Sequence, residues 1–195
     1  MKAVIFDLNG VFIQSPKLSE RFQTTFGVPA EKFVDALRNV MAVARLPNAR
    51  DSFRLWKPYL DAWGLTKMDS AMFFDFWFSA EREVPEMIAI AEQAKADGTE
   101  IFILSNNFKE RTEFYARRFG FLKTLPKKVY YSWQTGFVKP EPKAYALVLA
   151  ENGLKGEDVA YFDDSEKNIQ SAATLQIQGH IFKNPQQVRS ILSGF

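Results

Sequence analysis

A small set of polar residues, each directly beside an apolar run, carries the chemistry this sequence offers. Asp7 and Asn9 stand in Val4-Ile5-Phe6-Asp7-Leu8-Asn9-Gly10-Val11-Phe12, and Ser105 and Asn106 follow Ile101-Phe102-Ile103-Leu104. Lys139 precedes Pro140, and Asp163 and Asp164 follow Tyr161-Phe162. Singly, each has an ordinary reading: Asp7 and Gly10 as turn residues, Ser105 as a helix cap, Lys139 as a solvated lysine, Asp163 and Asp164 as loop residues. Together they are three carboxylates, a hydroxyl with an amide, and an ammonium. Carboxylates brought together repel unless a cation neutralises them. Cysteine is absent and there is one histidine, so the donors are oxygens and the fitting cation is hard, Mg²⁺. Lys139, Ser105 and Asn106 would then hold an anionic group against the metal, and a phosphoryl group suits that role best.

Positioning these residues together requires that their apolar runs be strands of one sheet. Met1 to Phe6 reads as a strand buried on both faces, ending at Asp7. After Pro85 the pattern alternates: helix Met87–Ala96, strand Glu100–Leu104, helix Phe108–Phe119, strand Lys128–Tyr131, helix Pro140–Asn152, strand Val159–Phe162, helix Glu166–Leu175, strand His180–Phe182 and helix Pro185–Leu192. Such alternation implies right-handed crossovers and an α/β fold, a parallel sheet with helices on both faces. In such a sheet the ligand crevice lies outside the carboxyl ends of the strands, where all the polar groups would converge. Residues 15–81 instead show apolar spacings of three and four, with breaks at Gly27-Val28-Pro29, Leu46-Pro47-Asn48 and Gly64-Leu65. This reads as a helical insertion after the first strand, rich in aromatics.

Composition narrows the class. Hydrophobic residues make up 47% and aromatics 15% of 195 residues, which excludes disorder and allows a sizeable core. Lys plus Arg number 25 against 23 for Asp plus Glu, without a basic block, so nucleic acid is not an expected partner. No apolar run has the length of a membrane span, and Met1-Lys2 leads into a strand instead of a signal sequence. With no thiols, a cytoplasmic location is expected.

The motifs Asp7-Leu8-Asn9-Gly10-Val11, Ser105-Asn106, Lys139 within Gly136-Phe137-Val138-Lys139-Pro140-Glu141-Pro142, and Phe162-Asp163-Asp164-Ser165 with Asn168 resemble, in order, the four motifs of the haloacid dehalogenase-like hydrolase superfamily. The resemblance spans the chain and implies a Rossmann-like core, residues 1–14 and 82–195, with a mobile helical cap, residues 15–81. It implies a Mg²⁺-dependent phosphatase working on a small-molecule phosphate ester, a sugar phosphate among the candidates. Asp7 resembles the nucleophile and a metal ligand, Asp164 the direct metal ligand, and Asp163 a carboxylate acting through metal-bound water. The Asn9 carbonyl would complete the metal contacts, and Ser105, Asn106 and Lys139 would bind the phosphoryl oxygens. Asn9 departs from the family, which mostly has a second aspartate there to exchange a proton. General acid–base catalysis is worth roughly 10²- to 10⁴-fold, so a slow enzyme, or a catalytically weak phosphate-binding or regulatory protein, is the alternative expectation. A 2-haloacid dehalogenase ranks below both, because it has no evident use for Asp163 and Asp164. His180 in its apolar strand reads as structural. Arg38, Arg45, Arg50 and Lys57 are cap cations that could meet an anionic substrate, and nothing in their spacing selects among them.

Overall fold

The computed structural model describes residues 1–49 and 51–194. Five strands, β1 (Ala3–Phe6), β4 (Glu100–Ser105), β5 (Lys128–Tyr131), β6 (Val159–Asp163) and β7 (Gln178–Ile181), form one sheet in the order β5-β4-β1-β6-β7. Every neighbouring pair is parallel. β1 is central, and its residues alternate between two apolar layers: Val4 and Phe6 face one, Ala3 and Ile5 the other. Burial on both faces is why β1, β4 and β6 read as apolar runs, whereas the edge strands β5 and β7 carry exposed polar residues.

The crossover helices are α5 (Pro85–Ala96), α6 (Lys109–Arg118), α9 (Pro142–Asn152), α10 (Glu166–Ala173) and α11 (Pro185–Leu192), with one-turn helices α7 (Phe121–Thr124) and α8 (Ser132–Thr135) between them. The chain leaves β1 toward β4 and β5 on one side and later returns to β6 and β7 on the other. The reversal of strand order therefore falls at β1 and β6, and a crevice opens outside their carboxyl ends.

The helical insertion comprises α1 (Leu18–Phe26), α2 (Ala30–Ala44), α3 (Ser52–Ala62) and α4 (Ser70–Phe78). Gly27 closes α1 in the left-handed conformation. The side chains of Asp51 and Asp69 accept hydrogen bonds from the first-turn amides of α3 and α4. Its interior is aromatic: Phe33 stacks on Trp56 at 5.2 Å, and Trp56 meets Trp77 edge-on at 5.8 Å. A two-residue ribbon, β2 (Ile13–Gln14) antiparallel to β3 (Arg82–Glu83), joins the insertion to the sheet. Among the described residues, no helix is long and apolar enough to cross a membrane.

Candidate active site

β1 brings Asp7 to the end of the central strand, β4 ends on Ser105 and β6 ends on Asp163. The turn before α9 supplies Lys139. Its Nζ donates to Asp7 Oδ1 at 2.9 Å and to Asp163 Oδ2 at 2.6 Å. Lys139 is 4% exposed, Asp7 8% and Asp163 0%, which rules out a solvated surface lysine. Burial works against the Lys139 charge, but the two carboxylates outweigh it and hold its pKa above the usual lysine value. Burial also pushes the Asp7 carboxyl up to about 6, opposed by Lys139 and reinforced by Asp163.

Asp7, Asp163 and Asp164 each place a carboxylate oxygen within 4.8 Å of the other two. That spacing, with oxygen donors only, suits a shared hard cation. The three carboxylates are not equivalent. Asp163 Oδ1 accepts from the Ser165 amide at 2.8 Å and Asn168 Nδ2 at 2.9 Å, and Oδ2 accepts from Lys139 and the Tyr161 hydroxyl. Its lone pairs are engaged by protein, whereas Asp164 is exposed. Burial and the neighbouring Asp163 raise the Asp164 pKa against the opposing effect of Lys139. Gly10, at φ +93°, makes room for Asp164: a Cβ there would lie 2.6 Å from Asp164 Oδ2.

Ser105 Oγ is buried without a hydrogen-bond partner, an arrangement costing about 1–3 kcal/mol unless a ligand supplies one. Asn106 differs from the direct anion contact expected of it. Its Nδ2 donates to the Lys139 carbonyl and its Oδ1 accepts from the Lys139 amide, both at 2.8 Å, so its side chain is committed to fixing the backbone that carries the lysine. Asn9 is half-buried and held at both ends: Nδ2 donates to Tyr115 Oη at 2.6 Å, and Oδ1 accepts from Asn107 Nδ2 at 3.2 Å.

Beyond Tyr115 lies a buried pair that the sequence did not single out. Arg111 Nε and Nη2 donate to Glu81 Oε1 at 2.9 and 2.5 Å, and the guanidinium lies 5.4 Å from the centre of the Tyr115 ring. Glu81 is 1% exposed. The available signal was spacing: Arg111 and Tyr115 stand four apart on α6, on the face that also buries Thr112. Of the cations of the insertion, Arg38 pairs with Asp35 in solvent, and Lys57 pairs with Asp61 and donates to the Thr66 carbonyl. Arg50 lies outside the described residues. His180 stacks on Phe162 at 5.1 Å, and burial lowers its pKa, which fits a structural place.

Comparison with known proteins follows the same lines. The family model for the haloacid dehalogenase-like hydrolases matches residues 1–175. A HAD family enzyme from Bacteroides thetaiotaomicron superimposes with a TM-score of 0.79 at 19% identity, covering 94% of each chain. That enzyme has also been crystallised with magnesium and inorganic phosphate. A predicted HAD-like family hydrolase from Porphyromonas gingivalis matches with a TM-score of 0.78 at 21% identity over 98% of each chain. An L-2-haloacid dehalogenase matches with 0.76 at 14% identity over 99% of each. With its motifs converging at the sheet's carboxyl edge and a family match over nearly its whole length, the chain belongs to the haloacid dehalogenase-like hydrolases.

Proposed function

We propose that the protein is a Mg²⁺-dependent phosphatase of a small phosphorylated metabolite, with Asp7 as nucleophile. The observation that carries this reading is the cluster of Asp7, Asp163 and Asp164 around the buried Lys139, with the unpartnered Ser105 hydroxyl beside it on β4. A dehalogenase has no need of such a cation-binding trio. The Bacteroides enzyme of the same fold, captured with magnesium and phosphate, points the same way.

Asp7 and Asp164 would hold the metal, joined by the Asn9 carbonyl, with Asp163 acting behind them. When bound, Mg²⁺ supplies positive charge to the transferring phosphoryl oxygens. Asp7 attacks phosphorus, the ester P–O bond breaks, and the leaving alkoxide takes a proton. Lys139 and Ser105 donate to the phosphoryl oxygens, where charge gathers in the transition state, and Asn106 keeps Lys139 in place. Water then hydrolyses the aspartyl-phosphate. The Asn9 amide neither gives up nor takes a proton near neutral pH as a carboxyl group does, so both proton transfers fall to solvent water and turnover is slow. That observation favours a second reading, a weakly catalytic phosphate-binding protein.

Turnover of p-nitrophenyl phosphate with and without Mg²⁺, and intact-protein mass after an acid quench, separate the readings. A phosphatase releases nitrophenol only with the metal and gains one phosphoryl group, absent from Asp7→Ala. Metal-independent dehalogenation of chloroacetate with no action on phosphate esters would overturn the proposal.

A further inference from the structure

Arg45 closes α2 at the point where the insertion meets the sheet domain. The loop that follows lies against the core: Pro47 Cγ would be 3.6 Å from a Cβ on Gly136, three residues before Lys139. A little further on, the Ser52 amide donates to Glu110 Oε1 on α6 at 2.9 Å. These contacts pin both sides of the loop to the two core segments that flank the crevice. Arg45 therefore stands at the seam beside the site and not on the outer surface.

Its setting is an unusual one for a cation. Arg45 Nε is buried with no hydrogen-bond partner, and Arg45 makes no ion pair among the described residues. Its charge lies in the field of a second guanidinium, Arg111, which together with burial lowers its pKa, while Asp7 pulls it the other way. Arg111 is already satisfied by Glu81. Of the other described cations of the insertion, Arg21 donates to the carbonyls of Phe76 and Trp77, Lys17 pairs with Glu20, Arg54 pairs with Asp51, Arg38 and Lys57 pair as described above, and Lys32 and Lys67 stand exposed, where water serves them. A half-buried guanidinium without a counter-charge, next to another cation, is costly until an anion arrives.

We infer that Arg45 binds a second anionic group of the substrate, so that the natural substrate is a phosphate monoester carrying a carboxylate or a further phosphate a few bonds from the scissile ester. The transferring phosphoryl group already has Lys139 and Ser105, whereas Arg45 is the one cation among the described residues that is withdrawn from solvent and has neither an ion pair nor a carbonyl partner. Arginine suits either group, since its planar fork meets carboxylate and phosphate alike. The inference rests on the phosphatase reading and sharpens it to a substrate class.

A matched series tests it: ethyl phosphate, phosphoglycolate and ethylene glycol bisphosphate, measured with Mg²⁺ on the full chain and on Arg45→Gln and Arg45→Lys. The expected result is a preference in kcat/KM of about tenfold or more for at least one doubly anionic compound, the scale of one charged contact. Arg45→Gln should erase that preference, chiefly through KM, and Arg45→Lys should restore part of it. Loss on phosphoglycolate alone or on the bisphosphate alone identifies the second group. An equal loss on all three compounds would place Arg45 on the phosphoryl group itself and overturn the inference, as would an unchanged preference in a folded Arg45→Gln. Should the protein turn over no phosphate ester at all, p-nitrophenyl phosphate included, the phosphatase reading falls by itself. Calorimetric binding of phosphoglycolate then decides on Arg45: affinity undiminished in Arg45→Gln counts against it, and a tenfold loss supports it.

Discussion

At the scale of single residues, the site sets catalytic need against stability. The folded Asp7 has its pKa raised from 3.8 to about 6, so the protonated form is the one the fold favours. Its contribution to stability is fully present below 3.8 and is lost as pH rises through about 6. At neutral pH without metal, the ionised Asp7 therefore costs stability, on the order of 3 kcal/mol for a shift of this size. Asp7→Asn is expected to be inactive yet more stable than the parent in chelator at pH 7, with the gap closing as pH falls toward 4; urea melts at several pH values measure it. Lys139→Met acts in the opposite direction, because it leaves Asp7 and Asp163 buried without their counter-charge, and about 3–5 kcal/mol of destabilisation is expected. Residue 9 is a question of protons, not charge. Tyr115 Oη and Asn107 Nδ2 flank it, and both can donate to a carboxylate, so Asn9→Asp fits the existing contacts. It should raise turnover by on the order of 10²-fold or more. A steady-state rate no faster than that of the Asn form would show that proton transfer at this position does not limit the enzyme.

At the scale of elements, the turn between β1 and β2 decides where Asp164 can sit. Gly10→Ala puts a methyl group 2.6 Å from Asp164 Oδ2, which has to move, and places alanine at φ +93°, a strain of about 1–2 kcal/mol. The variant is expected to fold, with Mg²⁺ affinity reduced at least tenfold by calorimetry; undiminished affinity would remove Asp164 from the metal site. The same elements explain what the sequence could and could not tell. β4 and β6 were legible to within a residue or so, because parallel strands covered on both faces must be largely apolar, and the polar residues at their ends stood out by contrast; the edge strand β5 was legible from its Val129-Tyr130-Tyr131 run alone. β2 and β3 were not, since two residues of strand carry no period and their register depends on a partner some seventy residues away. Glu81, Arg111 and Tyr115 were missed for a related reason. On a helix as charged as Lys109–Arg118, a buried arginine looks like its exposed neighbours until Glu81 is brought against it by the fold. Arg45 was visible as one cation among several, and only its burial and lack of a partner set it apart.

At the scale of the whole molecule, the layout suggested a helical insertion hinged at two points, free to close over the site. The aromatic interior of the insertion does not end at its own boundary. Phe108, at the start of α6, packs against Trp77 at 5.3 Å and Phe78 at 6.1 Å, and Phe114 lies 5.2 Å from Phe78. Glu81, just ahead of β3, is tied to Arg111 of the same helix. α4 and α6 thus form an apolar and ionic seam, and any closing motion has to pivot about it. This seam should also make the insertion and the sheet domain unfold together, although each has its own apolar cluster. Three of the four tryptophans, Trp56, Trp63 and Trp77, lie in the insertion, so fluorescence follows that part while far-UV circular dichroism follows the whole chain. In the parent protein the two signals are expected to give coincident denaturation curves. Phe108→Ala removes the ring that α6 contributes to the insertion's own cluster, at a cost of about 3–5 kcal/mol. The fluorescence transition should then precede the dichroism transition, because the insertion has lost its anchor while the sheet has kept its core. Coincident curves in Phe108→Ala would mean that the Glu81–Arg111 pair and the β2–β3 ribbon suffice to couple the two parts without the aromatic seam.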